Sequence, residues 1–130
     1  MQRVTAALLV RDGKVLIARR KPGKHMGRKW EFPGGKIHPG ESPEECVARG
    51  LAEELDSQAR IGELAGSARY TNGPVDLDIL LYRAEYLAGS FTLRDHEALA
   101  WVQPQELLSY DLADSDRELA RQALSALRDS

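Results

Sequence analysis

Residues 34–54 read GGKIHPGESPEECVARGLAEE, a glycine-rich turn running into an amphipathic helix. The helix start is fully specified: Ser42 can cap, Pro43 suits the first helical position, and Glu45 completes a Ser-x-x-Glu capping box. Val47, Ala48, Leu51 and Leu55 form an apolar stripe, and the helix is predicted from Pro43 to Asp56. At about 100° per residue, positions 50, 53, 54 and 57 share one face. Glu53 and Glu54 therefore project together, away from the stripe. Two neighbouring carboxylates repel unless a positive charge sits against them, and a hard divalent cation, Mg²⁺ or Mn²⁺, suits such oxygens. A solvated helix face would carry the same pair. Three features favour metal: Gly34-Gly35 upstream, where glycine lets backbone oxygens approach closely, Glu41 before the cap, and Arg49 one turn before Glu53.

Outward from this stretch, Val4 to Val10 is an aliphatic run that reads as a strand. Asp12-Gly13 marks a hairpin turn, and Val15 to Ala18 is the returning strand. Arg19 to Lys29 holds six basic residues and no acid, with Pro22, Gly23 and Gly27, and reads as a loop. Trp30-Glu31-Phe32 is a short extended piece ended by Pro33-Gly34-Gly35. Two more strands are predicted near Ile61 to Tyr70 and Leu77 to Tyr86, turning at Asn72-Gly73-Pro74. Ala98 to Val102 is a short strand around Trp101. A last helix is expected near Ser115, where Ser115-Asp116-Arg117-Glu118 reads as a second capping box, with Leu119, Ala123, Leu124 and Leu127 as its buried face. This order predicts an α/β or α+β sandwich, with helices against a mixed sheet.

The chain has 130 residues, and 1–130 is expected to be a single domain. Hydrophobic residues make up 42% and charged residues 29%, too apolar for intrinsic disorder and ordinary for a globular protein. The net charge of −2 provides no basic field for a nucleic-acid polymer. The single cysteine, Cys46, excludes an internal disulfide and argues against a thiolate zinc site. It reads as a small core residue of the helix. The run Val4 to Val10 is too short for a membrane span and has no cleavage pattern after it. The expectation is a soluble cytoplasmic protein with no membrane partner, a monomer or homodimer.

Gly35, Glu41, Arg49, Leu51, Glu53 and Glu54 stand at the spacing G-x5-E-x7-R-x-U-x-E-E, U being aliphatic. This long, gapped pattern resembles the Nudix box. Outside it, Arg19-Arg20 through His25-Met26 to Glu31-Phe32-Pro33-Gly34-Gly35-Lys36-Ile37, and Trp101 with acids upstream, resemble the MutT-like branch. The resemblance implies a Nudix-type α/β/α sandwich and a Mg²⁺-dependent hydrolase of nucleoside diphosphates linked to another group, with Mn²⁺ as a possible substitute. MutT-like members cut nucleoside triphosphates to monophosphate and pyrophosphate. It further implies that the Gly34 carbonyl, Glu53, Glu54 and Asp95 hold metal, with Glu97 standing by should Asp95 be too short. Glu41 and Arg49 correspond to the ion pair that braces the loop of the box against its helix and belong to the catalytic motif with Glu53 and Glu54.

The pattern is broken after Arg49, where the family has Glu and this chain has Gly50. That Glu binds metal and is a candidate base for activating water in MutT-like enzymes. Glycine does neither, and it costs about 0.8–1 kcal/mol in a helix interior relative to alanine. The last glycine of the box is also replaced, by Asp56. Losing a general base typically costs about 10² to 10⁴ in rate, within a total enhancement of about 10⁶ or more, so slow turnover survives its loss. Gly50 equally motivates a second reading, a nucleotide-binding or sensing module with a decayed box.

The resemblance places Arg20 near the phosphates, and the surrounding basic loop suits a polyanionic ligand. It places His25 and Phe32 at the nucleoside pocket, although Phe32 could equally be plain core. Trp30 and Trp101 read as core. Asp116 falls where MutT-like proteins read the base. An ionised Asp only accepts hydrogen bonds, so it favours a donor such as the exocyclic amine of cytosine or adenine, or N7–H of an 8-oxopurine. Its bland alternative is an acid complementing the helix dipole. The expected partner is a nucleotide, with CTP, dCTP or 8-oxo-dGTP as its type.

Overall fold

A computed structural model describes residues 2–23, 27–94 and 96–128. Strand β1 (Gln2–Arg11) turns at Asp12-Gly13, both with positive φ (51° and 77°), into β2 (Lys14–Arg20). Short strands β3 (Trp30–Glu31) and β4 (Gly34–Lys36) follow, then helix α1 (Pro43–Leu55). The long hairpin of β5 (Ser57–Asn72) and β6 (Val75–Gly89) comes next. Strand β7 (His96–Val102), a 3₁₀ turn (Pro104–Ser109) and helix α2 (Asp114–Arg128) complete the order.

The seven strands form one mixed sheet along the path β3-β2-β1-β6-β5, with β4 also on β1 and β7 on β2. β1 and β6 run parallel, and the other pairs are antiparallel. The apolar run of β1 is buried on both faces. Ala6 and Leu8, with Val15 and Ile17 of β2, pack on Leu119, Ala120 and Ala123 of α2. Ala7 and Leu9, with Leu16, pack on Val47, Leu51 and Leu55 of α1. The period-two alternation of the strands thus feeds two cores, and one helix covers each face, giving the expected α/β/α sandwich. Each fully buried Leu contributes about 1.5–3 kcal/mol of transfer free energy.

α1 starts with the full capping box: Ser42 Oγ accepts from Glu45 N–H at 3.1 Å, and Glu45 Oε1 accepts from Ser42 N–H at 2.9 Å. It ends one residue before the predicted limit, because Asp56 is a left-handed C-cap (φ 48°, ψ 42°). That conformation costs a non-glycine residue roughly 1 kcal/mol, least for Asp and Asn.

Two local expectations are corrected. Pro33-Gly34-Gly35 does more than end an extended piece: β3 stops at Glu31, and residues 34–36 then form a new strand, β4, on the open edge of β1 at residues 4–6. A Cβ on Gly34 would lie 1.9 Å from the Thr5 carbonyl oxygen, so this close approach requires glycine. α2 starts at Asp114, and Ser115 is not its cap. Ala113 holds the start, accepting from Arg117 N–H (2.9 Å) and donating to the Trp30 carbonyl (3.0 Å). Pairing with β3 sets the helix start, overriding the local Ser-x-x-Glu signal. No helix among the described residues is long and apolar enough to cross a membrane.

Candidate functional site

β1 and β2 pair only near their turn, at residues 10–11 and 14–15, and then part. The chain from Trp30 to Lys36 fills the fork: β3 pairs with β2, and β4 pairs with β1. A cavity of about 560 Å³ opens there, lined among others by Arg20, Glu31, Phe32, Gly34, Glu54, His96 and Asp116. Residues far apart in sequence thus converge because the sheet splits.

At one wall, Asp116 is buried, with 8% exposure, and its Oδ1 accepts from the Phe32 backbone N–H at 3.0 Å. Burial is the main cause that pushes its pKa up to about 7, and the charge of Glu31 adds to it; the Phe32 hydrogen bond and Arg20 oppose. The ionised form only accepts, as expected; a pKa near 7 adds a protonated form that can also donate. Asp116 also lines the cavity. Phe32 is 3% exposed and packs in the α2-side core while lining the cavity, so the two readings of its side chain coincide.

The Glu31 carboxylate is a hub. Arg20 Nη1 donates to Oε1 and Oε2 at 3.2 and 3.4 Å, and His96 Nε2 lies 2.8 Å from Oε2. Neither Glu31 nor His96 was singled out from sequence. An isolated Glu in a two-residue strand and a His at a strand start carry no local signal; only the β3–β2–β7 ladder brings them together.

On the box helix, Arg49 Nε and Nη2 donate to Glu41 at 2.7 and 3.0 Å. Nη2 also reaches the Lys36 carbonyl (2.8 Å), and Nη1 reaches Glu53 Oε2 (3.0 Å). The Arg49 guanidinium, helped by the His38 backbone N–H, holds the Glu41 pKa down to about 2. The pair ties the loop before α1 to the helix, as a brace should. Glu41, Arg49 and Glu53 do not line the cavity; Glu54 does. Cys46 is buried, with Sγ 3.0 Å from Thr5 Oγ1, and burial pushes its thiol pKa up.

Gly50 is buried on the inner side of α1, and a Cβ there would meet only the Gly34 carbonyl carbon, at 3.9 Å. A side chain at position 50 would thus be aimed at Gly34 with room to spare. The oxygen donors lining the cavity beside it belong to Glu54 and Gly34, while Glu53, one residue away, is held by Arg49. This set fits a hard oxygen-seeking cation and not a thiophilic one. No group of three or more His, Cys, Asp or Glu among the described residues could hold a metal by itself. Asp95 and His25 lie outside the described residues.

Two other expectations change. Glu97 does not line the cavity; it pairs with Arg19 Nε at 2.6 Å and Arg28 at 3.8 Å. The basic loop is not a free cationic field either: Arg19 also sits 5.5 Å from the Trp30 ring, Lys29 holds Asp111 at 2.7 Å, and Lys21 donates to the Arg94 carbonyl. Acids distant in sequence thus pair with Arg19, Arg20, Arg28 and Lys29.

The NUDIX domain family model matches residues 1–123. The chain is 37% identical over 129 residues to the CTP pyrophosphohydrolase of Escherichia coli (strain K12), spanning 98% of this chain and 94% of that protein. It is 38% identical over 119 residues to a putative 8-oxo-dGTP diphosphatase 2 of Mycobacterium tuberculosis (strain CDC 1551 / Oshkosh), spanning 89% and 83%. Among solved structures, that of the E. coli ORF135 protein superposes with a TM-score of 0.86 at 35% identity, covering 98% of this chain and 91% of that one. With the brace, the box helix and the split sheet all in place, the chain belongs to the NUDIX family and is a Nudix hydrolase of the MutT-like branch.

Proposed function

We propose that this chain hydrolyses a nucleoside triphosphate to the monophosphate and pyrophosphate, with Mg²⁺ or Mn²⁺ as cofactor. The observation that carries this reading is that one cavity is lined both by Glu54 and Gly34 and by buried Asp116, which Phe32 N–H holds. That arrangement suits a ligand with a polyphosphate end and a base end. Glu54, the Gly34 carbonyl, Glu53 and Asp95 are the residues assigned to metal. The cation would neutralise the polyphosphate and polarise the attacking water. The water oxygen would bond to a phosphorus atom as the bridging P–O bond between the α- and β-phosphates breaks, and a proton of the water must pass to a base.

Asp116 reads the base, with Phe32 as the adjoining wall and Arg20 near the phosphates; His25 is assigned to the nucleoside. The preferred substrates are CTP, dCTP or an oxidised purine nucleotide such as 8-oxo-dGTP, in line with the names of the two relatives. Bidentate or donor-matched reading of a base edge discriminates by about 1–3 kcal/mol. Gly50 favours a second reading, a nucleotide-binding module of low turnover, because no carboxylate faces Gly34 from that position.

Ion-exchange analysis of products decides between them. The protein and Gly50→Glu are incubated with Mg²⁺ and CTP, dCTP, 5-methyl-dCTP, 8-oxo-dGTP, dGTP, ATP or ADP-ribose. Monophosphate plus pyrophosphate from the parent chain supports the hydrolase. Nucleotide binding without product in either protein would instead favour the binding module.

A further inference from the structure

The Nudix box ends in glycine, whereas this chain has Asp56, and the structure shows what the extra side chain does. Asp56 keeps the left-handed turn. Its carboxylate accepts from Arg94 Nη2 at 2.8 Å on both oxygens, and Thr92 adds a side-chain hydrogen bond. Its carbonyl accepts from Ser90 N–H at 3.2 Å. Residues 90–94, after β6, therefore pack around the end of α1. Phe91 fixes the same segment from the other side, its ring stacked 5.2 Å from Tyr86 and edge-on to Trp101 at 5.7 Å. The Arg94 carbonyl in turn accepts from Lys21 Nζ at 2.8 Å, just past the end of β2.

What this knot holds is the first turn of β7. Arg19 pairs with Ala98, but Arg20 pairs with His96, so Glu97 is an extra residue and β7 is bulged there. Bulges beside a site re-aim side chains and bend their strand. Here the bulge puts the His96 ring against Glu31 in the cavity, two residues after Arg94. A bent, two-residue end on a short ladder needs an outside anchor to hold one position. The Asp56–Arg94 pair is half exposed, with side chains 32% and 55% accessible, so it adds little to global stability.

We propose that Asp56 and Arg94 are positioning residues for nucleotide binding: their ion pair locks the bulged start of β7 to the end of α1 and so holds His96 on Glu31. The inference rests on the nucleotide reading of the cavity for its kinetic part. Lys21 closes the clamp from β2, so three elements that meet at the cavity are tied at one residue. The same pair fixes α1 close to Glu53 and Glu54, linking the box helix to the opposite wall.

The test uses the full chain with Asp56→Gly and Arg94→Ala, singly and together. Asp56→Gly restores the family residue and relieves the left-handed backbone, so its thermal midpoint stays or rises. The His96 ring ¹⁵N signals, assigned with His96→Gln, are recorded without nucleotide. In both single variants these signals shift or broaden, and KM for the best panel nucleotide rises roughly 3- to 10-fold with kcat changed less. The double variant is no worse than either single one. Unchanged ring signals and KM, or effects of the two variants that add, would overturn the proposal. If Asp56→Gly fails to fold, Arg94→Ala on the exposed connection decides by the same readouts. If the parent chain hydrolyses no nucleotide, the hydrolase reading fails by itself, and the ring signals alone still decide the clamp.

Discussion

The backbone N–H of Phe32 donates to Asp116 Oδ1 at 3.0 Å across 84 residues of sequence. This bond ties the carboxyl of α2 to the segment between β3 and β4 at the cavity wall.

Asp116 makes stability depend on pH in an unusual direction. Its folded pKa of about 7 exceeds the ordinary 3.8, so the folded state binds the proton more tightly. The contribution is fully present below about pH 4 and is lost as pH rises through about 7, at up to about 1.4 kcal/mol per pH unit. The stability of the parent relative to Asp116→Asn should fall over that window and level off above it. Denaturant unfolding at a series of pH values measures this; a flat difference would contradict it. The asparagine amide has a fixed donor and a fixed acceptor, so the variant's ranking of the nucleotide panel should also stop changing across pH 7.

Gly50 separates helix stability from chemistry. Gly50→Ala should raise stability by about 1 kcal/mol, since Cβ meets only one atom, at ordinary contact distance, and alanine is the better helix former. It should not raise turnover. Gly50→Glu should raise kcat by about 10² or more if a missing base limits the rate. Product assays alongside thermal unfolding distinguish the two effects; a gain in turnover from Gly50→Ala would point to helix rigidity instead.

The Glu41–Arg49 brace should fail in acid. The Glu41 pKa is held down to about 2, so its contribution is present above about 4.5 and is lost as pH falls toward 2. Arg49→Met should lower the thermal midpoint at neutral pH and remove this acid-dependent loss. Arg49→Lys should not restore it, because an ammonium cannot span both Glu41 oxygens and the Lys36 carbonyl at once. Melting curves at pH 3 and pH 7 give the answer.

Adjacent glycines should respond oppositely to alanine. Gly34→Ala places Cβ 1.9 Å from the Thr5 carbonyl oxygen and should cost about 3 kcal/mol or more, by pushing β4 off β1. Gly35→Ala meets nothing within 4 Å and should be near neutral. Equal destabilisation of both would mean that β4 does not hold this register.

Local chemistry was legible before any coordinates. The Ser42–Glu45 box, the apolar stripe of α1, the Asp12-Gly13 turn and the Glu41–Arg49 spacing all depend on residues a few positions apart. Caps, turns and helical faces are set by such neighbours, so their sequence signals survive folding. Even so, Ser115-Asp116-Arg117-Glu118 misled, because a bridge between Leu112 and Trp30 fixed the start of α2 first.

The sequence by itself thus determined helix α1 with its cap, the first hairpin turn, the longer strands and the family. The tertiary structure decided which residues share a cavity. Pairing of β4 with β1, the meeting of Glu31 with His96 across 65 residues, and the ion pairs of Arg19 with Glu97 and Lys29 with Asp111 all needed the sheet to form. So did the protonation of Asp116, whose pKa is set chiefly by burial. Burial is a property of everything packed around a group, and no window of sequence contains it.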